Sequence, residues 1–129
     1  MTTATNIPMN LDAVRAFLAA KERRRQEALD RRFAVATSDF ARIVAHIVAT
    51  CAPRRILQWG SLLDRRRFSE ISDIDIALEG VSGPQAFFAI LGAAIEMTDF
   101  PVDIVEMEKI GRENAAHIRE VGRVVYERP

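Results

Sequence analysis

Apolar positions change their rhythm twice along this chain. Over residues 10–51, a stretch without glycine or proline, Leu11, Val14, Leu18, Leu29, Phe33, Phe40, Ile43, Val44 and Ile47 recur at mostly helical spacing. The spacing predicts one long helix or two in succession. Thr37, Ser38 and Asp39 are all suited to cap a new helix, which favours a break between an exposed, charged first helix and an apolar second one. Residues 21–32 are nearly all charged, with Glu27 one turn ahead of Arg31, the look of a solvated face. The rival reading rests on Leu11, Val14, Phe17 and Leu18, which lie too far from the core to be covered by it. They would pack on a partner chain or on a second copy.

From Pro53 the rhythm shortens. Residues 56–59 form a brief apolar run that stops at Gly60-Ser61, as a buried strand entering a turn does, and residues 72–78 read as a second strand. Pro84 after Gly83 suits the first turn of a helix whose apolar face is Phe87, Phe88, Ile90, Leu91, Ala94 and Ile95. A third strand over 102–107, a helix over 112–121 and an extended piece at 124–126 complete the chain. The expected class is α/β (α+β), a small sheet flanked by helices. Residues 1–52 are a helical extension and 53–129 carry the sheet, within one domain.

Composition narrows this picture. With 129 residues and 49% hydrophobic content, the chain is the size of one domain with a real core. Its 18 basic and 18 acidic residues cancel, so no global positive field draws in nucleic acid. The single cysteine, Cys51, has no partner for an internal disulfide, and no N-terminal signal pattern is present, so a cytoplasmic location is expected. No apolar run approaches the roughly 20 residues that span a bilayer, so no membrane association is expected.

The chemistry-bearing residues lie in the second half. Strand alternation over Ser72-Asp73-Ile74-Asp75-Ile76 puts Asp73 and Asp75 on one face, with Ile74 and Ile76 on the other. Two like charges so close are costly as scaffold and useful as a divalent-cation site. Asp-x-Asp alone occurs often by chance, as solvated carboxylates at a sheet edge. Context adds weight, because Gly60-Ser61 in the preceding turn offers close backbone approach and a hydroxyl donor to a phosphate. Taken alone, that dipeptide is an ordinary strand-to-helix turn. A phosphate cradle and paired carboxylates in consecutive elements together describe metal-triphosphate binding.

Gly60-Ser61, the spacer 62–72 and then Asp73-Ile74-Asp75 resemble the minimal nucleotidyltransferases of the polymerase β superfamily. The resemblance extends to a third carboxylate, Asp103 within Pro101-Val102-Asp103-Ile104-Val105, and to the closing segment 118–127. It covers residues 54–128 and leaves the N-terminal region unexplained. Many members follow Gly-Ser with a small residue, an arginine and a second glycine, whereas this chain has Leu62-Leu63-Asp64-Arg65-Arg66-Arg67-Phe68. The second glycine is missing. The loop therefore takes another path, with Arg65, Arg66 or Arg67 left to reach phosphate oxygens.

The resemblance implies a polymerase β-like fold, with Asp73, Asp75 and Asp103 holding two magnesium ions on ATP and Gly60, Ser61 and Arg65 contacting the nucleotide. It further implies transfer of AMP to a hydroxyl, with Asp103 orienting or deprotonating it. Small members often accompany a helical HEPN toxin and act on it as antitoxins, so a HEPN-type protein is the expected partner. A catalytically silent binding module that holds its partner, or an enzyme acting on a small molecule such as an aminoglycoside, are the alternatives. His46 and His117 lack further ligands at zinc spacing, and Cys51 has no base near it in sequence. These three, and Trp59 before Gly60, read as structural residues.

Overall fold

The computed structural model describes residues 10–129, and among them lie three α-helices, a short 3-10 turn and four strands. The first helix, α1 (Leu11–Thr50), starts where Asn10 Oδ1 accepts the Ala13 amide at 3.1 Å. It continues without interruption for 40 residues. The expected break at Thr37, Ser38 and Asp39 does not occur. The reason is the phase of the apolar stripe. Leu29, Ala36, Phe40, Ile43 and Ile47 stay on one buried face straight through that point. Asp39 caps no amide. Its carboxylate accepts the Thr98 hydroxyl at 2.7 Å and the Arg42 guanidinium at 2.7 Å.

Burial on α1 begins only at Leu29 and contacts with the body begin at Arg25, so the first turns of the helix overhang it. Leu11, Val14, Phe17 and Leu18 are exposed there, as the rival reading of a face for a partner or second copy requires. One stretch of α1 is long and apolar enough to cross a membrane by length and composition alone. Scanning for unbroken apolar runs does not find it, because isolated polar residues interrupt the run without lowering its average much. In the fold, the apolar face of the C-terminal half is buried against the sheet core.

Beyond α1 come β1 (Arg55–Trp59), the 3-10 turn (Ser61–Leu63), β2 (Ile74–Glu79), α2 (Pro84–Met97), β3 (Val102–Glu106), α3 (Arg112–Val121) and β4 (Arg123–Glu127). The sheet order is β3-β2-β1-β4. Strand β1 runs antiparallel to β2 and β4, while β2 and β3 are parallel and joined through α2. The sheet is therefore mixed. On one face, Ile56, Ile74, Ile76, Leu78 and Ile104 meet α1 and α2 in the main core. On the other, Leu57, Ala77 and Met107 pack under Ala115 and Ile118 of α3 in a smaller cluster. That second cluster covers only part of its face and leaves the Asp75 end open.

Two expectations shift in detail. Strand β2 starts at Ile74, so Asp73 precedes the strand instead of lying within it. Helix α2 buries only Ile90 and Ala94 fully, while Phe88 and Ile95 of its broad apolar face remain exposed.

Candidate active site

Register brings the carboxylates together. Asp75 is the direct partner of Asp103 in the parallel β2/β3 pair, and partners in register point to the same face. Across the antiparallel pair, Asp75 stands opposite Trp59, the residue before Gly60. The two carboxylates and the Gly60 turn thus share the open end of the second face. Asp73 follows Ser72 immediately before β2, close enough for its charge to act on Asp75.

Gly60 is required here by space as well as by conformation. Its φ is +81°, in the region that side chains rarely adopt, and a Cβ would collide with Asp75, whose Cγ lies 2.8 Å from that point. Ser61 opens the 3-10 turn and donates its hydroxyl to Ser72 Oγ at 2.8 Å. The Ser69 amide donates to the same oxygen at 2.8 Å. Ser72 is buried, so it ties the glycine turn to the segment carrying Asp73. Sequence reasoning did not give Ser72 this positioning role, because a serine beside an aspartate carries no signal of its distant partner.

Electrostatics set the site apart from the other carboxylates of the protein. Burial, then Asp103, then Asp73 push the Asp75 carboxyl up to about 6. No hydrogen-bond donor and no cation is among the influences on it. Contrast Glu79 on the same face of β2, which is buried yet lies within 3.2 Å of Arg54 and of Arg55 and 3.5 Å of Arg119. Arg55 Nε and Glu79 Oε1 keep ion-pair distances without good hydrogen-bond alignment. Glu79 is neutralised by structure, whereas Asp75 is left for something else. Among the described residues, no three His, Cys, Asp or Glu side chains converge into a ready ion cage. Like charges with nothing positive between them spread apart, in keeping with the repulsion that Asp75 feels.

The donor set nevertheless fits magnesium by chemistry. Hard carboxylate oxygens are the ligands this ion prefers, and one or two carboxylates plus phosphate oxygens are its usual complement. Because Gly60 has no side chain, the Asp75 carboxylate can approach the turn directly.

Arg65 goes elsewhere. Its Nε donates to Asp30 at 2.6 Å, and its Nη2 to the Gln26 carbonyl and side-chain oxygens at 3.1 and 3.0 Å. Arg66 folds back on Asp64. The loop is drawn to α1 because Leu62 and Phe68 are buried in the main core, with the Phe68 ring edge-on to Phe33 at 5.3 Å. The structure thus puts Asp75 beside Gly60 and in register with Asp103, with Asp73 near enough for its charge to act on Asp75, and commits Arg65 to a surface ion pair. His46 is half-buried at the C-terminal part of α1, Cys51 is free, and His117 is exposed on α3. Trp59 is mostly covered, and its buried Nε1 has no hydrogen-bond partner among the described residues, a deficit of about 1–3 kcal/mol if left unmet.

Compared with known proteins, the chain matches no family model, and no curated protein matches it.

Proposed function

We propose that this protein is a nucleotidyltransferase of the polymerase β type, transferring AMP from magnesium-bound ATP to a hydroxyl on a partner protein. The observation that carries this reading is Asp75, raised by burial and by its in-register partner Asp103 and lying against a glycine turn that tolerates no side chain. Carboxylates that pair with no arginine among the described residues suit an external cation. Bound between Asp73, Asp75 and Asp103, magnesium would neutralise the triphosphate and the charge that develops in transfer.

The chain's own residues supply position. The Gly60-Ser61 backbone takes phosphate oxygens, and the exposed Asp103 accepts the proton of the attacking hydroxyl. The hydroxyl oxygen bonds to the α-phosphorus as the bond to the bridging oxygen breaks, and pyrophosphate leaves. A HEPN-type helical protein is the proposed acceptor, met through the overhanging first turns of α1.

Magnesium and ATP together should raise the melting temperature, because the complete site exists only in the folded state. The Asp73→Asn plus Asp75→Asn variant should lose that rise. With labelled ATP and the protein encoded next door, Asp103→Asn should transfer at least about a hundredfold more slowly while still binding the partner. No thermal shift for wild type at millimolar ATP and magnesium would refute the nucleotide site.

A second reading draws on Arg65. Its commitment to Asp30 and Gln26 takes one phosphate ligand out of the loop and favours a binding module that silences its partner without catalysis. Wild type and Asp103→Asn would then silence the partner equally, with no label transferred.

A further inference from the structure

A cavity of about 170 Å³ lies between α3 and the second face of the sheet, lined by Trp59, Val105, Ile110, Asn114, His117 and Ile118. It sits next to the carboxylates. Trp59 is the cross-strand partner of Asp75, and Val105 lies two residues beyond Asp103 on the same face, about 7 Å along the strand. The separation is of the order that one ribose bridges between a phosphate and a base.

Its walls are mostly apolar and its polar groups few, which is the make-up of a small-molecule pocket. Trp59 contributes its indole to the wall, while its Nε1 is sealed from solvent. Asn114 spends its amide nitrogen on the Ile110 carbonyl at 3.2 Å, which leaves its side-chain oxygen as an acceptor. His117 stands exposed at the rim. One spare acceptor and mostly apolar walls suit a heteroaromatic ring that bears an exocyclic amino group. The volume suits one such ring system and little more, a cavity of similar size being known to admit a single aromatic molecule.

We propose that this cavity is the base pocket of the nucleotide site and takes the purine ring of ATP against the Trp59 indole, with the Asn114 side-chain oxygen accepting from the amino group. The inference rests on the nucleotidyltransferase reading for the phosphates, but the base contact does not depend on metal.

Trp59 is the sole tryptophan of the chain, so its emission reports the cavity alone. Adenosine without magnesium should quench it saturably. With magnesium, ATP should bind wild type at least tenfold more tightly than inorganic tripolyphosphate, and only ATP should move the emission. Val105→Phe, which fills the cavity, should erase the preference for ATP while keeping tripolyphosphate binding.

Equal binding of ATP and tripolyphosphate by wild type, with the emission unmoved, would place the base elsewhere and overturn the pocket while the phosphate site stood. Adenosine binding without any tripolyphosphate binding would uphold the pocket and sink the phosphate site. Silence with all three ligands would overturn both. Each of these outcomes is read on wild type, so a Val105→Phe protein that failed to fold would not rescue the proposal.

Discussion

Replacing Asp75 by asparagine should make the ligand-free protein more stable. The carboxyl, ordinarily near 3.8, is raised to about 6 by burial and by Asp103 and Asp73, so ionising it in the folded state is unfavourable. A rise of that size corresponds to ~3 kcal/mol. The side chain is only half-buried, and solvent screening reduces the usable figure to about 1–2 kcal/mol. Asparagine keeps the shape and removes the charge. The sign with pH follows from the raised value. The contribution of Asp75 is fully present below pH 3.8 and is lost as pH rises through about 6. Wild type and Asp75→Asn should therefore be similar near pH 3.5 and diverge as pH rises through about 6, and at pH 7.5 the variant should melt about 3–8 °C higher. Thermal unfolding followed by circular dichroism, in chelator, measures both. With magnesium and ATP present the order should reverse, since only wild type gains from the ligand. A variant no more stable than wild type at pH 7.5, or a gap that ignores pH, would refute the claim that the carboxylate stands un-neutralised.

Three further outcomes are expected. Gly60→Ala should cost at least about 1–3 kcal/mol in urea unfolding, from the positive φ together with the collision with Asp75, and should abolish the magnesium-ATP shift; a neutral substitution would show that the turn has room. Asp39→Ala should destabilise by about 1–3 kcal/mol, because it strands Thr98 and Arg42. Burial pushes that carboxyl up, but Thr98 and Arg42 outweigh it and hold it below 3.8, so the penalty should be full above pH 3.8 and fade as pH falls further. Ser38→Pro, in the middle of α1, should cost about 3 kcal/mol or more and reduce helicity, whereas a chain with a helix start at that point would accept proline in the first turn.

Much of this architecture is written locally. Strand and helix periods from Pro53 onward are short-range properties, and the helix over 112–121 follows them to the residue. The Asp-x-Asp spacing and the Gly60-Ser61 turn are also local, so the sequence alone marked Gly60, Ser61, Asp73 and Asp75 as candidates, and the motif resemblance added Asp103. Their meeting is not local. It depends on the β2/β3 register, which α2 and Pro101 set by placing Ile74 N 2.9 Å from the Pro101 carbonyl oxygen.

What the tertiary structure decided lies where two local preferences compete or where a partner is remote. Capping propensity at Thr37, Ser38 and Asp39 argued for a break, yet an unbroken buried stripe and the Asp39–Thr98 bond favour continuity, because burial along a whole face outweighs one cap. Arg65 had the charge for phosphate, but burial of Leu62 and Phe68 steers its loop onto α1, 35 residues away in sequence. The Ser61–Ser72 bond and the cavity beneath α3 arise the same way, from side chains brought together only when both faces of the sheet are covered.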